Sequence, residues 1–366
     1  MYSYASGLEI YVNTKYKKRT QRNKPASQLV VAKKVKVFDT VEMQSRKDNA
    51  PTKSNVYQNM ARYLDYLKYT EGELDLLPVN YSVLNGLKQL AISFPNFKAV
   101  IEFYVRQIAL QLLNPQAIFY SEPVLIIGGA GIGKTAFTYA LARVISTPCE
   151  TISLSTATSG FILAGSSPSW AEGRPGKVVD KLAKHKIANP LIMLDELDKV
   201  GGDNRYDPIG SLYQLLEKET AKGFVDEGLE IPTDCSHIVW LATANQEELI
   251  PEPILSRFTV FNVRTPTKQQ MKKVVNSIYS NILKENIWGQ FFDDEIAACA
   301  IESIIESQVV PRKIQQIIKD ACAKIALEQV NIKNNRRSKR MKFKVTADHI
   351  TVYKKPMKTP MGFFQT

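Results

Sequence analysis

Gly128-Gly129-Ala130-Gly131-Ile132-Gly133-Lys134-Thr135 sets four glycines ahead of a lysine and a hydroxyl residue, directly after the apolar run Val124 to Ile127. Glycines let such a loop curl until successive backbone N–H groups face an anion, and a helix opening at Lys134 adds a favourable dipole. The spacing G-x-x-x-x-G-K-[ST] between a strand and a helix predicts a phosphate-binding loop running through Ala136. Lys134 is then expected to reach the β- and γ-phosphates of ATP, and Thr135 to bind Mg²⁺. Sixty-one residues beyond Lys134, Leu191 to Leu194 is a second apolar run that ends in Asp195 and Glu196. Four consecutive large apolar residues need burial, so both acids emerge at the carboxyl end of a strand, where open α/β sheets bind ligands. Asp195 is expected to hold Mg²⁺ through water, and Glu196 to orient and polarise an attacking water.

The elements that position these groups follow from the apolar spacing. Strands are predicted at Val124 to Ile127, Glu150 to Leu154, Leu191 to Leu194 and His237 to Ala244, alternating with helices at Lys134 to Ile145, Val178 to Ile187 and Ile209 to Lys222. This alternation predicts a doubly wound parallel sheet covered on both faces. Beyond Thr265 only helices are expected: Thr267 to Lys284, Asp293 to Ser307 and Pro311 to Gln329, the last with Ile314, Ile317, Ile318, Ala321 and Ile325 along one face. Five segments result: a basic arm with one strand over 1-55, a helical lead-in over 56-120, a nucleotide-binding α/β domain over 121-265, a helical lid over 266-350 and a basic tail over 351-366.

The 366 residues are 44% hydrophobic and 23% charged, which excludes a disordered, collagenous or disulfide-built chain. Four scattered cysteines and three histidines argue against a dedicated zinc site. There is no apolar run long enough to span a membrane and no signal-peptide pattern, so a cytoplasmic protein without membrane contact is expected. The net charge of +12 is carried by the ends: residues 1-60 hold +8 and residues 331-366 hold +9, which leaves about −5 for the body. Such ends are either solvated tails or contacts for nucleic acid or an acidic partner.

Together these residues resemble the AAA+ ATPases, and within them the ATPase module of Lon proteases, over roughly 120-350. The resemblance rests on Gly128 to Thr135, on Asn189-Pro190-Leu191-Ile192-Met193-Leu194-Asp195-Glu196-Leu197-Asp198-Lys199, on Leu241-Ala242-Thr243-Ala244-Asn245 and on Pro253-Ile254-Leu255-Ser256-Arg257. It implies that Asn245 is the sensor that places the attacking water. It implies that Arg257 is an arginine finger given to a neighbouring subunit, and hence a homo-oligomeric ring, a hexamer. Arg312 resembles the second sensor at the start of a lid helix, with Lys313 as a nearby competitor. Trp170, in the polar stretch before Pro175-Gly176-Lys177, sits where Lon-like modules carry an aromatic that grips substrate polypeptide, and Gly201 to Asp207 resembles a second pore loop.

Departures from the family bear on function. The Lon protease domain would follow the lid, yet the chain ends about 20 residues after Lys344, so no proteolysis by this chain alone is expected. Phe94-Pro95-Asn96-Phe97, where the family places adenine contacts, does not follow the pattern. The first expectation is therefore an ATP-driven unfoldase or remodeller that moves polypeptide past Trp170, either for a separate protease or without one. The alternative is a nucleic-acid-associated ATPase whose basic clusters, Lys15 to Arg19 and Arg336 to Lys344, bind phosphate backbone.

Overall fold

The computed structural model describes residues 33–155, 159–200, 208–333 and 342–351. The strands are β1 (Lys33–Lys36), β2 (Glu73–Leu76), β3 (Val124–Ile127), β4 (Cys149–Ser153), β5 (Leu191–Asp195), β6 (Val239–Ala244) and β7 (Thr259–Asn262). The helices are α1 (Thr40–Asn49), α2 (Asn55–Leu67), α3 (Tyr81–Ser93), α4 (Lys98–Gln111), α5 (Lys134–Ile145), α6 (Ser159–Ala164) and α7 (Lys177–His185), then α8 (Ile209–Leu215), α9 (Lys218–Ala221), α10 (Glu252–Leu255), α11 (Lys268–Glu285), α12 (Ala298–Glu306) and α13 (Pro311–Lys333). A two-residue ladder joins Phe224–Val225 to Pro232–Thr233.

Five strands form one sheet in the order β4-β5-β6-β3-β7, every pair parallel. Because strand side chains alternate between faces, Leu125, Ile127, Ile192 and Leu194 enter one buried cluster while Val124, Ile126, Leu191 and Met193 enter the other. The first face is covered by α7 and α8 and also by Phe38, Met43, Met60 and Tyr63 from the N-terminal extension. The second face is covered by α3, α4 and α5. A third cluster is built from α11, α12 and α13, the helices expected as a lid.

The extension is folded from Lys33 onward, where an arm with a single strand was expected. β1 pairs antiparallel with β2, and Asp39 caps α1 by accepting from the N–H groups of Val41 and Glu42. Backbone bonds anchor β2 to the sheet layer: Asp75 N donates to Lys186 O at 3.0 Å and Ala188 N to Asp75 O at 2.8 Å. Val37 O likewise accepts from Asp234 N at 3.1 Å, beside a bridge between Phe38 and Thr233. Two helices also differ from expectation. The helix expected over 209-222 breaks into α8 and α9 because Glu217 is extended (φ −103°, ψ 126°). The helix expected from Asp293 starts at Ala298, because Asp293 N and Ala297 N bond instead to Phe343 O and Val345 O.

Asn189, just before β5, ties the lead-in to the sheet. Its buried amide accepts from Leu77 N at 2.8 Å and donates to Leu77 O at 3.2 Å and Phe119 O at 3.0 Å. Asn189→Ala is expected to cost about 2–3 kcal/mol of stability, since it strands these backbone groups without a partner. Urea unfolding followed by circular dichroism checks this.

Candidate nucleotide site at the carboxyl edge of the sheet

The loop from Gly128 to Gly133 leaves β3 under close constraint. Gly128 N donates to Ala244 O at 3.1 Å, and a Cβ on Gly128 would lie 2.4 Å from Val263 O, so only glycine fits. Gly133 opens α5 at φ 105°, a region that favours glycine. Lys134 folds back over the loop, its Nζ donating to Gly128 O at 2.5 Å, to Gly129 O at 3.3 Å and to Asn245 Oδ1 at 2.9 Å. Burial pulls the Lys134 ammonium below its usual range, against the opposing pull of Asp195, Asp198 and Glu196. Thr135 and Ala136 lie exposed at the start of α5.

Asp195 ends β5, and Thr243 from the neighbouring β6 donates its hydroxyl to Asp195 Oδ1. The same hydroxyl accepts from Glu196 N at 3.4 Å. Glu196 itself sits at φ 61°, ψ 48°, a left-handed conformation that costs a residue with a Cβ about 1–2 kcal/mol and turns the chain sharply out of the sheet. The structure thus brings Lys134, Asp195, Glu196 and Asn245 to one edge, at the ends of β3, β5 and β6. The start of α13 joins them: Arg312 N donates to Gly131 O at 3.4 Å, while Arg312 is exposed.

Two predicted residues stand apart. Arg257 is held by contacts within its own chain. Its Nη1 donates to Pro253 O at 2.5 Å, Nη2 pairs with Glu217 Oε1 at 2.5 Å, and the guanidinium lies 4.8 Å from the Tyr213 ring centroid. Trp170 is 49% exposed and packs edge-on against Phe161 at 5.1 Å, in a loop that shares no hydrogen bond with the phosphate-binding loop among the described residues. The stretch expected as a second pore loop, Gly201 to Asp207, the cluster at Lys15 to Arg19 and residues 336–341 of the cluster Arg336 to Lys344 lie outside the described residues.

Sequence reasoning missed Thr243, whose buried hydroxyl links both acids, and Asp198, a fully buried acid whose two oxygens accept no hydrogen bond from a described residue. A lone hydroxyl in an otherwise apolar strand and a third acid two residues past Glu196 were the available signals. It also missed that Phe94 and Phe97 sit beside Gly133, each 4.0 Å from where a Cβ would be, with Phe97 stacked on Phe137 at 4.5 Å.

For Mg²⁺ the fit is that of an ion held mainly by water and substrate phosphates. Among the described residues no group of three or more His, Cys, Asp or Glu could hold a metal alone, while a hydroxyl and a carboxylate stand at the site edge.

Comparison with known proteins agrees with this geometry. Residues 124–265 match the family model "ATPase family associated with various cellular activities (AAA)". The mitochondrial Lon protease homolog of Neurospora crassa is 26% identical over 298 residues, covering 79% of this chain and 26% of that protein. The mitochondrial Lon protease homolog of Homo sapiens is 32% identical over 251 residues, covering 64% of this chain and 24% of that protein. The Lon protease of Mycoplasma mycoides is 27% identical over 290 residues, covering 77% and 34%. The chain thus spans about a quarter to a third of the length of these relatives. Among solved structures, Hsp104 of S. cerevisiae in its casein complex, extended conformation, superposes with a TM-score of 0.54 at 15% identity, over 72% of this chain and 49% of that one, a likeness of fold. Residues 124–265 are an AAA-family ATPase domain with the AAA+ fold, and the chain that carries them is similar to the ATPase region of Lon proteases.

Proposed function

We propose that this chain is an ATP-driven motor that acts on polypeptide as a homo-oligomeric ring, a hexamer, with hydrolysis at the interfaces between subunits. The observation that carries the reading is the bond from Lys134 Nζ to Asn245 Oδ1 beside the paired acids of β5. It joins the residue expected at the γ-phosphate to the amide expected at the attacking water. The backbone of Gly128 to Ala136 binds the phosphates of ATP, and Lys134 neutralises charge on them. Thr135 and, through water, Asp195 would hold Mg²⁺, which would supply positive charge against the phosphates of ATP. Thr243 keeps the Asp195 carboxylate in register. Glu196 takes the proton of the attacking water, Asn245 orients that water, and Arg257 enters from the neighbouring subunit. Arg312, whose backbone already touches Gly131, couples the lid to nucleotide. Trp170 grips the polypeptide, and the work is delivered either to a separate protease or to remodelling without proteolysis.

The test is steady-state ATPase activity with added unfolded polypeptide or duplex DNA at two salt concentrations, alongside Trp170→Ala. Unfolded polypeptide is expected to stimulate turnover severalfold, and Trp170→Ala to abolish the stimulation while retaining the unstimulated rate. Stimulation by DNA alone, steeply weakened by salt and indifferent to Trp170, would instead favour a nucleic-acid-associated ATPase working through the basic termini.

A further inference from the structure

The loop that carries Trp170 is built against α2, a helix outside the matched ATPase domain. Its base is closed by Ser166 N to Arg174 O at 2.9 Å and by Arg174 N to Ser166 Oγ at 3.2 Å. Asp226 fixes that base from below, accepting from Gly176 N at 2.8 Å, Gly228 N at 2.9 Å and Leu229 N at 3.0 Å. From the other side two amides one turn apart on α2 hold the tip. Asn55 Nδ2 donates to Trp170 O at 2.7 Å and to Pro168 O at 3.1 Å, and the buried Asn59 donates to Gly173 O and Gly228 O, each at 3.3 Å.

Beside this braced loop, bounded by Arg62 of α2 and by α6 and α7, lies a groove of about 480 Å³. Phe161 and Trp170 give it an aromatic side, and Arg62, Arg174 and Lys177 bring positive charge. Arg174 and Lys177 are exposed and make neither an ion pair nor a side-chain hydrogen bond with a described residue. Arg62 spends one donor on Asn59 Oδ1 at 3.1 Å. Of the two lining carboxylates, Asp180 is paired with Lys184 at 2.8 Å, which leaves Glu172 as the single unpaired acid against three cations.

We propose that the groove beside the Trp170 loop is a docking site for acidic segments of polypeptide, so that the motor engages chains rich in Asp and Glu in preference to basic ones. The inference rests on the reading of Trp170 as the polypeptide-gripping residue and names the class of chain it takes. An aromatic wall beside spaced cations suits side chains that alternate apolar and carboxylate groups. Nucleic acid fits less well, since Glu172 and Asp180 oppose a continuous phosphate backbone and a single exposed aromatic gives little stacking. The bracing matters because cations held in fixed register lose little freedom on binding.

The experiment compares ATPase stimulation by three unfolded polypeptides of matched length, acidic, neutral and basic, each relative to the variant's own unstimulated rate. The acidic chain is expected to reach half-maximal stimulation at about ten-fold lower concentration than the basic one, with the gap narrowing as salt rises. The pair Arg174→Glu and Lys177→Glu is expected to bring the two within about two-fold, at a melting temperature matching the parent. If that pair fails to fold, Arg174→Gln with Lys177→Gln is expected to narrow the gap to about three-fold. A gap that survives charge reversal, or tighter binding of single-stranded DNA than of the acidic chain, overturns the proposal. Stimulation by all three polypeptides that persists in Trp170→Ala overturns the underlying reading instead. Loss of stimulation in Trp170→Ala, with the acidic preference intact after charge reversal, sinks this inference alone.

Discussion

Glu196→Gln is expected to lower the turnover of ATP by about a hundred- to ten-thousand-fold while ATP binding is retained. Glutamine keeps the volume and the left-handed turn at φ 61° but cannot take a proton from water. The contacts that bind nucleotide on this reading are untouched: Lys134 stays bonded to the loop carbonyls and to Asn245, and Thr243 stays bonded to Asp195. Single-turnover hydrolysis together with equilibrium binding of a fluorescent ATP analogue separates the two quantities. A variant that hydrolyses ATP at the parent rate would remove Glu196 from the reaction.

Arg257→Ala is expected to reduce turnover by about a thousand-fold in the assembled protein and to leave the affinity for ATP unchanged. Within one subunit the guanidinium is committed to Pro253, Glu217 and the face of Tyr213, and its side chain is only 23% exposed. On the proposed reading, its effect on chemistry is exerted across an interface, on a neighbour's phosphate. Mixing gives the sharper readout. Subunits with Arg257→Ala retain Glu196, and subunits with Glu196→Gln retain Arg257, so equal mixtures are expected to recover about a quarter of the parent activity by random pairing. No recovery after exchange of subunits, verified by a labelled protomer, would exclude donation in trans. Glu217→Gln in the same assay reports what the ion pair does. Loss of the pair frees the guanidinium, and the resulting change in rate is expected to vanish in the Arg257→Ala background.

The glycine-rich loop and the strands β3 and β5 were legible because their signals are local: a glycine-rich turn between a strand of four apolar residues and a helix, and a second such strand ending in acids. What could not be read depends on contacts far apart in sequence. α1 carries one buried residue, Met43, so its ten residues show almost no apolar period. β7 has only four residues, none fully buried, and its place beside β3 rests on pairing. Glu217 was hidden inside what read as one continuous helix, and its extended backbone is what frees it to meet Arg257. Asn55 and Asn59 looked like ordinary polar positions on a helix, yet their partners lie more than 100 residues away. Thr243 stands out in its strand only as a lone hydroxyl, and its partner is fixed only once β5 is set alongside it.

The bond from Asp234 N to Val37 O, and the bridge between Phe38 and Thr233 next to it, join chain segments about 195 residues apart. During synthesis at about 5–20 residues per second, Val37 and Phe38 leave the ribosome roughly 10 to 40 s before Thr233 and Asp234, which they meet. For that interval the nascent chain carries apolar side chains whose resting place has not yet been made. This cover of the five-stranded sheet is translated before the sheet and can be seated only after it, so the newborn protein is expected to depend on holding chaperones more than a chain with local contacts would.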